Sequence, residues 1–434
     1  MTPPRERKAP GRVAGLLVDI SPLRLDRDYR RIWAGQVISG TGAQVTRVAL
    51  PFQIYVLTGS TLMVGLLAAV QLVGILVFAL GGGAIADAFD RRRLLLLTQA
   101  GLAATSGLLA ILALSGSPPV AALFGLAFVS AAIGAIDSPA RSSSIPRLVP
   151  AERLPAAIAL NQLNFQAASV IGPAVGGVLL GTVGVGGAYL VDSVSYAAAM
   201  LAVLGIRPLP PLGELPRATL GAIRDGLSFA LRRRLILSTF AIDLNAMIFG
   251  MPAALWPVLA LDVFRVGPTG VGLLAAAPGA GAFLGALLSG WVGRIERIGW
   301  AVIVAVAAWG AAIVAFGLAT FSFPLALVFL ALAGAADVLS AVFRSTIVQL
   351  DTPDALRGRV TALHILVVTS GPRLGDVEAA AVASIAGAQF SVVSGGLLCL
   401  LGVVAVARLF PELRQHVASG EAPRRDVPEG ASGP

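Results

Sequence analysis

Long apolar runs separated by short polar clusters fill most of this chain. The runs cover about 32–57, 61–86, 94–114, 119–138, 155–180 and 186–206, then 235–262, 269–291, 299–319, 323–345, 360–386 and 390–410. Each has about twenty residues or more, enough to cross a hydrocarbon core of about 30 Å at about 1.5 Å per residue. The pattern predicts an all-α membrane protein with twelve transmembrane helices. The break at Gly81–Arg93 is typical of the polar clusters. It holds Asp87, Asp90, Arg91, Arg92 and Arg93, and such a charge density cannot lie in lipid at tolerable cost. It therefore reads as a short polar turn between the second and third spans.

The polar remainder divides the chain. Residues 1–27 form an N-terminal tail without the apolar stretch of a signal peptide. A six-helix unit is expected over 28–206, a polar linker over 207–234, a second six-helix unit over 235–412 and a disordered tail over 413–434. The two units repeat at a constant offset of 203 residues. Arg30 and Arg31 match Arg233 and Arg234, Arg91 matches Arg294, Arg141 matches Arg344, Pro150 matches Pro353 and Gly172 matches Gly375. Two parallel bundles related by a pseudo-twofold axis follow. Repeats of this kind place a cargo between the halves near the bilayer midplane and work by alternating access.

Composition narrows the function. The 434 residues are 56% hydrophobic and 13% charged, with mean hydropathy +0.85; a soluble domain has about 25% charged residues. A single cysteine, Cys399, and two histidines exclude a disulfide framework and a cysteine- or histidine-rich metal site. No phosphate-binding loop or nucleophile–base constellation is present, so an enzyme is not expected. The net charge of +9 comes from arginines in the turns after even-numbered spans, among them Arg91–Arg93, Arg141, Arg147, Arg232–Arg234, Arg294, Arg344 and Arg357. The opposite turns hold only Arg265. That asymmetry assigns the basic charge to the inner membrane surface rather than to nucleic acid. It places both termini in the cytoplasm of a multi-pass cell-membrane protein.

Within the Gly81–Arg93 stretch, Gly83, Asp87 and the pair Arg91–Arg92 resemble the cytoplasmic signature of the major facilitator superfamily. Ala88 stands where a basic residue is common and Asp90 where glycine is common. Leu50–Gln53 and Thr352–Val360 are similar to the branch of enterobactin exporters and macrolide efflux pumps, and the resemblance covers about residues 28–412. Gly172, Pro173, Gly176 and Gly177 look like the end of the superfamily's antiporter signature, with Ala168 at one upstream glycine position. The resemblance implies a major facilitator fold, acting as a monomer without a cofactor. Its expected work is export of a small organic molecule, a siderophore or drug-like compound, in exchange for protons. An importer or uniporter, or a membrane sensor without transport, uses the same fold.

Candidate residues follow. Arg47 and Arg373 are charges inside spans, and such charges expect a partner and a function. In the fold this resembles, spans 7 and 11 are neighbours, so Arg373, Asp243 and Asp376 are expected to form a proton-coupling cluster. A static network that fixes packing is the competing reading. Arg47 shares a helix face with Gln44 and lines a cavity suited to an anion, or pairs with Asp192 for stability; Asn245 and Asp192 are further cavity candidates. His364 reads as an ordinary packed histidine. Ion pairs Arg91–Asp137 and Arg294–Asp337 are expected, one in each half. Asp87 is left to cap span 11 near Gly358 as a conformational latch.

Overall fold

A computed structural model describes residues 19–116, 118–210 and 227–417, and among these it contains helices and no strand. The side chains at 79–88, 354, 355 and 362 are outside the description; the expected Gly83–Asp87 latch is one of the features that fall there.

The long helices are α1 (Arg27–Thr58), α2 (Thr61–Ala88), α3 (Arg91–Leu114), α4 (Val120–Leu148), α5 (Leu154–Thr182) and α6 (Gly184–Leu204). The second series is α7 (Arg234–Phe249), α8 (Gly267–Leu287), α9 (Ile298–Leu318), α10 (Phe323–Asp351), α11 (Asp354–Ala386) and α12 (Ala388–Leu409). Among the described residues, ten spans are long and apolar enough to cross a membrane. The other two long helices, α1 and α11, have 32 and 33 residues and carry Arg47 and the Arg373–Asp376 pair respectively.

Three boundaries differ from the sequence pattern. The Gly81–Arg93 stretch is mostly helix, because α2 runs to Ala88 and α3 starts at Arg91. Only Phe89 and Asp90 make the turn. Asp90 caps α3 by accepting from the Arg93 amide at 2.9 Å, which accounts for an acid where the family signature favours glycine. Second, α4 and α10 extend past the ends of their apolar runs to Leu148 and Asp351, since Leu148, Ile347 and Val348 are buried in protein contacts. Arg141 and Arg344 therefore lie inside helices, not in turns. Third, span 7 is broken. After Phe249 come Gly250 and Pro252, a 3-10 turn at Ala253–Leu255, a short helical piece at Trp256–Val258 and a π-helix at Leu259–Val263. Proline lacks the amide that would continue the helix. Trp309 Nε1 donates to the stranded Gly250 carbonyl at 2.9 Å.

The packing repeats as the sequence does. In the first half α1 lies against α5 and α6, α2 against α4, and α3 against α4 and α6; in the second, α7 lies against α11 and α12, α8 against α10, and α9 against α10 and α12. Between the halves α5 meets α8 and α2 meets α11, contacts that the same operation exchanges. The paired opening arginines have a physical role. Arg31 donates to the Gly205 carbonyl just past α6, and Arg234 donates to the Leu409 carbonyl at the end of α12 at 2.8 Å. Each guanidinium caps the negative end of its half's last helix.

The halves close on each other at the end opposite the termini. Gly177 of α5 and Gly272 of α8 sit so close that a Cβ on Gly272 would lie 2.5 Å from the Gly177 Cα. Tyr55 in the last turn of α1 donates its hydroxyl to Asp262 in the π-helix, and Thr61 Oγ1 donates to the Ala380 carbonyl at 3.3 Å.

Candidate functional site

Three polar groups sit inside the bundles, and each has a different structural basis. The first is shared between the halves. Arg47 on α1 is accessible, and its electrostatic neighbours are Tyr196 of α6 and Arg373 and Asp376 of α11. It takes no ion pair among the described residues. Arg373 lies 3.7 Å from Asp376, one helical turn along. Asp376 is 6% exposed, and its Oδ1 accepts from the Ala254 amide at 2.7 Å. That amide belongs to the 3-10 turn after the break in span 7. One carboxylate thus holds an opened backbone and a guanidinium together. With two guanidiniums and one carboxylate, the group carries one positive charge more than it neutralises.

The second group lies in the second half alone. Arg344 of α10 is 1% exposed. It contacts Asp243 of α7 at 2.8 Å and Asp337, about two helical turns back on α10, at 3.9 Å, and its Nη1 donates to Ser340 at 2.9 Å. Asp243 is fully buried, whereas the Asp337 side chain is 35% exposed. His364 of α11 is the remaining electrostatic neighbour of Asp243 and stacks on Phe240 with ring centres 5.8 Å apart. Two carboxylates share one arginine, with a histidine beside them.

The third group is the corresponding region of the first half. Arg141 pairs with Asp137 one turn earlier on α4, and Asp137 also accepts from Thr98 at 2.7 Å and Gln99 at 3.3 Å. Deeper in the same half, Asp192 is 1% exposed and accepts 2.6 Å hydrogen bonds from Thr46 and Ser106.

These partners correct several expectations. Asp243 pairs with Arg344, not Arg373, because α10 presents a buried guanidinium closer to it. The expected three-residue cluster is therefore split, and only Arg373–Asp376 of it stands. Asp137 pairs with Arg141 rather than Arg91, whose Nε donates to Ser143 at 3.0 Å. Asp337 lies beside Arg344 rather than Arg294, which is in an exposed 3-10 segment. Arg92 donates to the Val203 and Leu204 carbonyls at 3.3 and 2.7 Å, so it caps α6. Asp192 neither lines a cavity nor pairs with Arg47. Asn245 donates to the Cys399 carbonyl at 2.9 Å and ties α7 to α12. Gln44 is buried, with its stem packed on Gly172. Gly172 and Gly176 let α1 approach α5, and Gly177 lets α8 approach from the other half; Pro173 lies inside α5 between these contacts. The glycine–proline motif is thus a packing surface at the junction of the halves. By hydropathy Arg141 and Arg344 read as turn charges, although their match at the 203-residue offset already marks them.

The family model described as "Transmembrane secretion effector" matches residues 18–431. The chain belongs to this family of the major facilitator superfamily. It is 30% identical over 424 residues to the enterobactin exporter EntS of Citrobacter koseri, covering 96% of this chain and 98% of that one. It is also 30% identical over 420 residues to EntS of Escherichia coli, covering 93% and 98%. Among solved structures, the fold matches the POT family transporter PepTSo with a TM-score of 0.72 at 15% identity, covering 89% of this chain and 98% of that one. An inward-facing, unoccupied bacterial homologue of the lysosomal transporter Spinster gives 0.69 at 16%, covering 91% and 99%. A bacterial homologue of the iron transporter ferroportin, also inward-facing, gives 0.66 at 17%, covering 90% and 100%. This secretion-effector family member is a small-molecule transporter of the membrane and not an enzyme.

Proposed function

We propose that this transporter exports an anionic small organic molecule in exchange for protons, with cargo and proton bound at separate places. The observation that carries the reading is the splitting of the intramembrane charges into two groups. Arg47, Arg373 and Asp376 stand where the halves face each other and carry excess positive charge, which suits an anion. Catecholate siderophores are such anions, and the similarity to enterobactin exporters points the same way.

Exchange requires that cargo and proton do not bind together. An ionised Asp376 and an anionic cargo repel each other, so a proton at Asp376 would favour cargo binding and couple the two in the same direction. The proton of an exchanger belongs elsewhere. Asp243, Asp337, Arg344 and His364 supply that place, with one carboxylate more than the arginine can neutralise and Asp337 as the accessible member. Units 28–206 and 235–412 rock about the α5–α8 and α2–α11 contacts, joined through 207–234, with both termini on the cytoplasmic side. Closure at the far end, as the chain stands, is then the cytoplasm-open state.

Efflux tests the reading. Inverted vesicles carrying the protein are loaded from outside with enterobactin or a panel of antibiotics, with and without a proton gradient. The account expects gradient-dependent accumulation of an anionic compound and its loss in R47Q and R373Q. Accumulation that ignores the gradient, or that survives both substitutions, overturns it.

A further inference from the structure

The repeat isolates one surface that the transport cycle does not use. In the first half, α3 opens with Arg91 and Arg92. Arg92 donates to the carbonyls at the end of α6, and Arg91 is buried against Ser143. The next positions, Leu94 and Leu97, are apolar. Adding 203 gives Arg297 and Trp300 at the start of α9. Here the cation faces outward. Arg297 is exposed and its side chain has no hydrogen-bond or ion-pair partner among the described residues.

A second chain segment completes the surface. After α12 the chain turns into a short helix, Pro411–Gln415, that packs against the start of α9. The contact is tight, because the Gly299 amide donates to the His416 carbonyl at 3.3 Å and a Cβ on Gly299 would lie 1.6 Å from the Leu413 carbonyl oxygen. Leu413 is buried and points at α9, which turns Arg414 outward. The acid of this short helix, Glu412, is committed to Arg234 at 3.1 Å, and Arg414 has no partner among the described residues. A cleft of about 390 Å³ results, lined by Arg297, Trp300, Arg414, Gln415 and Val417.

The cleft opens towards lipid. Trp300 and Val304 are one helical turn apart and are 44% and 60% exposed on a membrane-crossing helix, so that face meets acyl chains. Indole side chains favour the depth where hydrocarbon gives way to headgroups. Two guanidiniums at that depth more than neutralise the single negative charge of a phosphodiester and can bind its oxygens through paired donors.

We propose that this cleft is a binding site for the headgroup of an anionic phospholipid, with an acyl chain lying along Trp300 and Val304. The site belongs to the second half only and tethers the α9 end and the segment after α12 to the bilayer. Brominated lipids test it. The full chain is reconstituted in phosphatidylcholine containing a small fraction of brominated phosphatidylglycerol or brominated phosphatidylcholine. Tryptophan quenching is compared between wild type and W300F to isolate Trp300. The site predicts a preference for phosphatidylglycerol on the order of tenfold, insensitive to millimolar inorganic phosphate. The preference disappears in R297Q/R414Q while thermal unfolding is unchanged. Equal quenching by the two lipids in wild type, a preference that survives in R297Q/R414Q, or displacement by inorganic phosphate overturns it.

Discussion

The two halves share helices, packing order and capping arginines, yet they treat their equivalent buried arginines differently. Arg141 finds its carboxylate one turn earlier on its own helix, where Thr98 and Gln99 also hold Asp137. Arg344 reaches across to Asp243 on α7 and has Asp337 beside it. The positions matching Asp243 and Asp337 in the first half are Gly40 and Gly134. Asp137 and Asp192 in turn match Ser340 and Gly395, so the halves place their acids at different points of a shared framework, and in the second half Arg344, Asp243 and His364 bring three helices together. The break in span 7 makes the same contrast. Gly250 stands at the position of Arg47, and Asp376, which holds the broken backbone, stands at the position of Pro173. In the first half the Arg141 pair is held within one helix with two neutral donors beside it, while in the second half two carboxylates on two helices stand beside Arg344.

The largest expected effect separates the two arginines. In R344A, Asp243 is left buried without its cation, which costs about 3–5 kcal/mol. In R141A, Asp137 keeps two neutral donors and the cost is about 1–2 kcal/mol. Thermal unfolding of the purified variants reads the difference, and D243N/R344Q should recover part of the loss. Equal melting of R344A and R141A would erase the contrast.

Next comes closure. G272L inserts a side chain where the Gly177 Cα allows none, an overpacking cost of about 1–3 kcal/mol confined to the closed far end. Spin labels on the ends of α5 and α8 should report separation. An unchanged distance would show that the glycine contact does not govern closure.

Third is the first-half hub. D192N removes the charge that accepts from Thr46 and Ser106, at a cost of about 1.5–3 kcal/mol. Because the hub belongs to the scaffold, efflux per folded molecule should be preserved. A loss of transport without a loss of stability would move Asp192 into the working set.

The smallest effect is at Tyr55. Y55F deletes a single bond to Asp262 between the halves, about 0.5–1.5 kcal/mol, and so shifts the closed population roughly two- to tenfold at most.

Much of this was legible in the sequence because lipid is a demanding solvent. Apolar runs must be helices, charges must lie in turns or face inward, and arginine asymmetry follows the membrane's polarity. The 203-residue offset likewise announced the two parallel bundles and matched Arg31 to Arg234, whose shared role as helix caps only the packing reveals. The partners of buried charges were less legible. An apolar run ends where hydropathy falls, but a helix ends where its hydrogen bonds do. The runs through α4 and α10 therefore hid Arg141 and Arg344 among turn residues. With Arg344 misplaced, Asp243 was assigned to Arg373 by helix adjacency alone. Asn245 and Asp192 were polar residues in lipid, and neighbouring helices satisfied them as hydrogen-bond partners. Sequence spacing alone does not say which polar residue faces a neighbour and which faces a cavity.

The separation of cargo from proton is tested most directly by comparing two fluxes in one set of proteoliposomes. Counterflow of the exported anion needs only the cargo site and the rocking motion, whereas accumulation driven by a pH gradient needs the proton site as well. The account predicts that D337N keeps counterflow and loses gradient-driven accumulation, and that R373Q loses both. A D337N transporter that still accumulates cargo against the gradient, or one that loses counterflow as fully as R373Q, would contradict it.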